Sequence, residues 1–216
     1  MSNHGQETEA KFYVRDLKKI EIVLQDLGAQ IVQARVLETN IRFDLPDGRL
    51  RSERRVLRLR RDTKSRLTYK SASTNDHGVL SRTEIEFIVE DFEKAKQFLE
   101  ALGYQSIFYY EKYRTTYVLQ PSEGLEPSEG LTHLMLDELP YGHFIEIEGE
   151  TVESIRRVSD SLNLDWDAAI ATSYYALFGR ACTSLDLSVQ DLLFKNFAGI
   201  HVTPIHLGVR AADEIT

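Results

Sequence analysis

The sequence predicts a mainly antiparallel α+β fold of eight strands with amphipathic helices packed outside, which the charge pattern closes, or nearly closes, into a β-barrel. Two observations predict this. Eight segments alternate apolar and polar residues with period two, near 6–13, 30–44, 55–61, 66–72, 80–89, 106–119, 131–138 and 143–149, as strands with one apolar face do. Only a few segments between and after them carry the spacing of a helix buried on one side. A chain of 216 residues, 42% of them hydrophobic, can bury a full core.

The first strand sets Glu7, Glu9 and Lys11 on one face and Thr8, Ala10 and Phe12 on the other, because residues two apart point the same way. A helix follows from Asp16 as N-cap, through Leu17, Ile20, Val23, Leu24 and Leu27, to Gly28 as its stop. Beyond the long segment 30–44, Arg58 and Arg60 alternate with Leu57 and Leu59, Lys70 stands on the next strand, and Arg82, Glu84 and Glu86 alternate with Ile85 and Phe87. A second helix runs from Asp91 to Gly103 with the Asp-to-Gly spacing of the first, which suggests an internal repeat. Lys112 and Arg114 then alternate with Tyr113 and Thr115. Pro121 to Gly130 contains Pro-Ser-Glu-Gly twice and reads as a surface loop. Asp137 lies on the strand after it, and Glu146 and Glu148 alternate with Ile145 and Ile147 on the last. Helical spacing returns over 151–162 and again over 166–178. After Arg180 the pattern changes to an amphipathic helix carrying Leu187, Leu192, Leu193 and Phe197, then an irregular tail with Pro204. Residues 6–179 are therefore expected to form the main domain and 180–216 a C-terminal extension, read as an appendage.

One i, i+2 pair of charges means only a wetted sheet face. Five such pairs mean more. If the apolar faces carry the helices outside, the charged faces look at one another across the closed sheet, and the barrel interior is polar. Its lining would hold seven bases (Lys11, Arg58, Arg60, Lys70, Arg82, Lys112, Arg114) and seven acids (Glu7, Glu9, Glu84, Glu86, Asp137, Glu146, Glu148). Buried charges persist when paired, hydrated or coordinating an ion, and a ligand is the simplest reason for so many. The bases suit a multiply charged oxyanion. The carboxylates suit a hard divalent cation, Mg2+ or Mn2+, that also grips phosphate oxygens. Together they point to a metal-bound di- or triphosphate.

The remaining chemistry is bland. The net charge of −8 argues against capture of a nucleic acid polymer or an acidic membrane by the outer surface, and it lies entirely outside the formally neutral lining. A single cysteine, Cys182, excludes a disulfide framework. Without an apolar leader or membrane span, the chain is expected to be cytoplasmic. His77 reads as a turn residue, and His133 and His143 as strand-face residues. Tyr104, Tyr109, Tyr110, Tyr113 and Tyr117 read as strand packing and Trp166 as helix packing. His201 and His206 form no metal site, and a homodimer stands as one option for the oligomeric state.

Glu7-Thr-Glu-Ala-Lys11 near the N-terminus resembles the Glu-x-Glu-x-Lys signature of the CYTH superfamily, the triphosphate tunnel metalloenzymes. The resemblance continues in order through Leu57 to Arg60, Thr68 to Lys70, Ser81 to Glu86, Lys112 to Arg114, Leu136-Asp137 and Phe144 to Glu148, and ends at Ser173 to Leu177. It implies an eight-stranded tunnel binding a triphosphate, ATP or inorganic triphosphate, with a divalent metal. Lys11, Arg58, Arg60, Lys70, Lys112 and Arg114 would hold the phosphates, and Arg82 would be the lining residue most apt to join them. Glu7, Glu9 and Glu148, with Glu146 and Asp137 nearby, would hold metal, while Glu84 and Glu86 would line the tunnel. Lys11, Glu9 and Glu148 would be catalytic. The order from Ile41-Arg42-Phe43-Asp44 onward is similar to class IV adenylate cyclases, which convert ATP to cyclic AMP and pyrophosphate. The superfamily also contains triphosphatases acting on inorganic, thiamine or nucleoside triphosphates. Cyclase is the first expectation, triphosphatase the second, and a non-catalytic polyphosphate or nucleotide binder the third.

Overall fold

The alternation along the strands sorts residues into two faces, and the sheet closes around the charged one. The computed structural model describes residues 5–120 and 130–214, so most of the loop with the repeated Pro-Ser-Glu-Gly lies outside the described residues. Nine strands run in chain order: β1 (Gln6–Val14), β2 (Gln30–Asp44), β3 (Val56–Arg61), β4 (Ser65–Lys70), β5 (Thr74–Asp76), β6 (Val79–Val89), β7 (Gln105–Leu119), β8 (Thr132–Leu139) and β9 (Gly142–Glu148). They form one sheet in the order β1-β9-β8-β7-β2-β3-β4-β6-β5, and a pairing of β1 with β6 closes eight of them into an antiparallel barrel. The short ninth strand, β5, pairs only with β6, through a turn where His77 and Gly78 take positive φ.

The expected helices appear as α1 (Leu17–Asp26), α3 (Phe92–Ala101) and α4 (Val152–Ser161), with a short α2 (Arg49–Ser52) added between β2 and β3. Asp16 and Asp91 accept hydrogen bonds from backbone N–H groups of the first turn, so the repeated Asp is a repeated cap. α1 and α4 cover the outer faces of β1, β8 and β9, where Ile20, Leu24 and Ile155 pack on Phe12, Val14, Leu134, Ile145 and Ile147. α3 covers β2 and β3, with Phe92 and Leu99 against Ile41, Phe43, Leu57 and Leu59.

The third core lies at one end of the barrel, and here the structure departs from the sequence reading. The helix expected over 166–178 splits into a 3-10 turn, Trp166–Ala168, and α5 (Tyr174–Leu185), which Ser173 caps. α5 runs through the Gly179/Arg180 point at which the sequence suggested an extension begins. The helix expected around Leu187 to Phe197 does not form. Leu192 instead bridges β7, donating its N–H to Tyr109 O at 2.9 Å and accepting from Glu111 N at 3.0 Å. Only Phe194–Phe197 turns helically, as 3-10, and α6 (Pro204–Leu207) follows.

These residues are built in rather than appended. Leu192, Phe197, Leu207 and Ala211 share one buried cluster with Tyr13, Phe108, Tyr110, Tyr141 and Phe144 of the barrel and Tyr174, Leu177 and Phe178 of α5. Tyr13, Tyr110 and Phe144 continue the inward faces that carry Lys11, Lys112 and Glu146, so α5 and the tail plug that end of the tunnel with aromatic rings. The Asp213 carboxylate then accepts from the N–H groups of Arg15 and Asp16, fastening the tail to the start of α1.

Candidate active site

The strand faces that the sequence pairs with α1, α3 and α4 turn outward, which leaves their charged neighbours facing inward. One cavity of about 900 Å³ runs through the barrel and out beside α5. Thirteen of the fourteen charged residues that the alternation placed inside line it: Glu7, Glu9, Lys11, Arg58, Arg60, Lys70, Arg82, Glu84, Glu86, Lys112, Arg114, Glu146 and Glu148. Asp137 stands behind the wall.

The lining is an interlocked set of ion pairs. Glu7 accepts from Lys70 at 2.5 Å and from Arg82 Nε at 2.9 Å, and Arg82 also reaches Glu9 at 3.2 Å. Burial pushes the Glu7 carboxyl up, but Lys70 and Arg82 outweigh it and hold the pKa down at about 2. Lys11 lies 3.1 Å from Glu146, with its ammonium 4.2 Å from the Tyr174 ring centroid. Burial alone would lower the Lys11 pKa; Glu146 and Glu9 reverse that and raise it. Lys11 is therefore a fixed cation, suited to an anion and not to taking up a proton. Further along β3, β4 and β6, Glu86 bridges Arg58, Arg60 and Arg66.

Asp137 is fully buried, and four donors take its carboxylate: Lys112 Nζ at 2.9 Å, Arg114 Nε at 2.6 Å, Arg114 Nη2 at 2.5 Å and the Tyr174 hydroxyl at 2.8 Å. An ionised carboxylate offers about four acceptor sites, so none is left for a metal.

Sequence reasoning missed the inward face of β2. Glu38, only 1% exposed, stands 3.5 Å from both Lys112 and Arg60, and burial is outweighed by these bases so that its pKa falls to about 2. Asn40 and Arg42 follow on the same face. The signal was present, because Glu38, Asn40 and Arg42 alternate with Thr39, Ile41 and Phe43 as the other lining residues do. Tyr110, read as packing, also lines the cavity, where burial would raise its pKa but Arg58 and Lys112 lower it. Tyr174 could not have been found locally, since its hydroxyl reaches Asp137 across 37 positions. The described histidines stay outside this site: His206 Nδ1 accepts from Thr203 N and caps α6.

A family model described as the CYTH domain matches residues 5–164. The chain belongs to the CYTH domain family. A Methanocaldococcus jannaschii relative with a provisional adenylate cyclase name is 28% identical over 184 residues, covering 80% of this chain and 98% of that protein. A Vibrio parahaemolyticus structure, also provisionally called an adenylate cyclase, superposes with a TM-score of 0.68 at 18% identity, over 82% of this chain and 99% of that one. A Hippeastrum adenylyl cyclase candidate described as having a dominant triphosphatase activity gives a TM-score of 0.57 at 20% identity, over 80% and 95%. The last two likenesses establish the fold. No helix among the described residues is long and apolar enough to cross a membrane.

Around Glu148 the CYTH tunnel is short of positive charge. Glu9 and Glu148 face each other across the β1–β9 pairing, with Glu7 two residues away on the same face. Burial, then Glu7 and Glu146, push the Glu9 carboxyl up. Burial, then Glu7 and Glu9, push Glu148 up to about 7. Crowded carboxylates that resist ionising together form a donor set that a hard divalent cation fits. Among the described residues, no three His, Cys, Asp or Glu side chains already converge on one metal position. Glu7 and Glu9 must first turn away from Arg82 and Lys70.

Proposed function

We propose that this CYTH protein is a divalent-metal-dependent triphosphatase that cleaves a phosphoanhydride of a triphosphate held inside the tunnel. The observation that carries the reading is the convergence of seven bases from five strands, Lys11, Arg58, Arg60, Lys70, Arg82, Lys112 and Arg114, on one cavity. Each now leans on a carboxylate. A triphosphate entering the tunnel offers the same bases stronger, forked partners, and the carboxylates it displaces become free. Phosphate and cation therefore bind as a complementary set.

Glu7, Glu9 and Glu148 would hold a divalent cation, which would supply charge neutralisation at the phosphate oxygens. The chain's own residues do the rest. Arg58, Arg60, Lys70, Lys112 and Arg114 hold the phosphates in line, and Lys11 and Arg82 neutralise charge developing on the leaving group. A carboxylate of the Glu9–Glu148 pair accepts the proton of the attacking water, since Lys11 remains protonated. Water adds to the terminal phosphorus, the bridging P–O bond breaks, and phosphate and pyrophosphate leave.

The mouth of the tunnel favours hydrolysis over cyclisation. Its aromatic residues are already engaged, with Phe108 packed against Tyr175 and Phe178, and the Arg42 guanidinium lying over Tyr175. A cyclase needs a place for adenosine there. The second reading, adenylate cyclase, is favoured by the cavity volume, which exceeds what three phosphates fill; the M. jannaschii relative's name points the same way. Incubation with inorganic triphosphate and with ATP, each in Mg2+ and in Mn2+, separates the readings by product. Phosphate release from inorganic triphosphate is expected. Cyclic AMP with pyrophosphate would replace this reading by the second, and tight binding without turnover would make the protein a binder.

A further inference from the structure

We propose that the tunnel mouth carries an additional phosphate subsite, formed by Arg42, Arg51 and Arg54, for the phosphate that follows a tunnel-bound triphosphate, so that linear oligophosphates of four or more phosphates are the preferred ligands. The proposal rests on the tunnel being a triphosphate site.

The charge bookkeeping changes at the mouth. Deeper in the tunnel each lining base stands within 4 Å of a carboxylate. Arg42 lines the same cavity, yet no carboxylate reaches it among the described residues, and its Nε is buried without a hydrogen-bond partner. Its register partner on β3 is Arg58, another cation. Burial lowers its pKa against the opposing pull of Tyr110 and Tyr175, and the nearby Arg58 and Arg82 lower it further. The guanidinium lies over the Tyr175 ring, 5.3 Å from its centroid, which fixes the plane while leaving the N–H edge available.

Two more arginines face the same opening. Arg51 lies in the short α2, and Arg54 follows that helix; both line the cavity, are exposed, and make no ion pair among the described residues. Arg54 has φ of 56°, a left-handed conformation that a residue with a side chain rarely adopts. The neighbouring Arg55 differs, because Glu53 pairs with it. A rim of three uncompensated guanidiniums on a protein of net charge −8 is a local anion trap. An adenosine would leave those guanidiniums without partners, whereas a fourth phosphate would satisfy them.

Binding measured calorimetrically in EDTA, without turnover, tests the subsite with inorganic triphosphate, inorganic tetraphosphate and ATP. Tetraphosphate is expected to bind about tenfold tighter than triphosphate, as a charge-assisted contact implies. Arg42→Gln and the surface pair Arg51→Ala/Arg54→Gly should each remove most of that advantage. Gly suits the left-handed backbone, so the pair keeps its fold. Arg60→Ala should weaken all three ligands alike. Equal losses for tri- and tetraphosphate in the rim variants would overturn the proposal, as would losses for ATP as large as those for tetraphosphate, which would mark a nucleoside site. Failure of the wild-type protein to bind any of the three, in EDTA and in Mg2+ alike, would instead remove the triphosphate reading itself.

Discussion

Asp137 and Glu148 lie on neighbouring strands, the same alternation placed both in the lining and the family resemblance implied metal binding for both, yet the barrel treats them oppositely. Asp137 has no exposed surface and four donors on its carboxylate. Glu148 has no ion pair among the described residues and faces two further acids, and its pKa is lifted to about 7. A buried acid whose acceptor sites are all used holds neighbouring elements together. One left among its own kind destabilises the empty protein and is free for a ligand. In this tunnel, then, partners decide role more than residue type does, and we place Asp137 with the scaffold and Glu148 with the chemistry.

Removing what covers the Asp137 side breaks the comparison most severely. Truncation after Arg180 deletes Leu192, Phe197, Leu207, Ala211 and Ala212, all buried at 6% exposure or less. Each large side chain among them contributes about 1.5–3 kcal/mol by burial, a sum comparable with the roughly 5–15 kcal/mol that stabilises a domain. The shortened chain is expected to be insoluble or to lose its near-UV circular dichroism. A soluble fragment with a cooperative melt would show that the first two turns of α5, up to Arg180, plug the barrel without the tail.

Asp137→Asn against Glu148→Gln tests the contrast directly. The first leaves Lys112 and Arg114 short of a buried counter-charge and should cost about 3–5 kcal/mol in denaturant unfolding. Glu148→Gln should stabilise the metal-free protein, by up to about 3 kcal/mol above pH 7, while removing activity. The sign follows from linkage. Glu148 titrates in the folded protein at about 7, above its ordinary 4.5, so the folded state binds the extra proton between those values. Wild type should therefore lose stability relative to the Gln variant as pH rises from 4.5 through 7, and the two should agree below 4.5. Equal costs for the two substitutions would mean that both acids are structural.

The barrel was legible because its strands each alternate, and alternation needs no knowledge of partners: period two predicts a face wherever the face points. The site was legible to the same degree, as Glu7, Lys11, Arg58 and Glu146 show by lining one cavity. Applied consistently, the same rule also exposes Glu38 and Arg42. What stayed hidden depends on distant chain. Leu192 and Ala211 bury themselves through single bridges to Tyr110 and Tyr13, which leave no periodic trace. Whether an inward acid is saturated or crowded depends on side chains from three or four strands, and Asp137 could not be told from Glu148 until Tyr174 and Lys112 were placed around it.

Tyr174→Phe is the smallest and sharpest probe of that placement. It removes one hydroxyl from Asp137 while keeping the ring that Lys11 and Lys112 approach at 4.2 and 5.4 Å. Three charged donors remain on the carboxylate, so the loss should be about 1–2 kcal/mol, as for one hydrogen bond to an ionised group, and well below that of Asp137→Asn. The double mutant separates a bond to Asp137 from general packing. If the hydroxyl acts through the carboxylate, Tyr174→Phe should cost much less once Asp137 is already Asn, giving a coupling of at least about 0.5 kcal/mol. An unchanged cost in that background would mean that the hydroxyl stabilises the plug independently, and α5 would then have no part in holding the saturated acid in place.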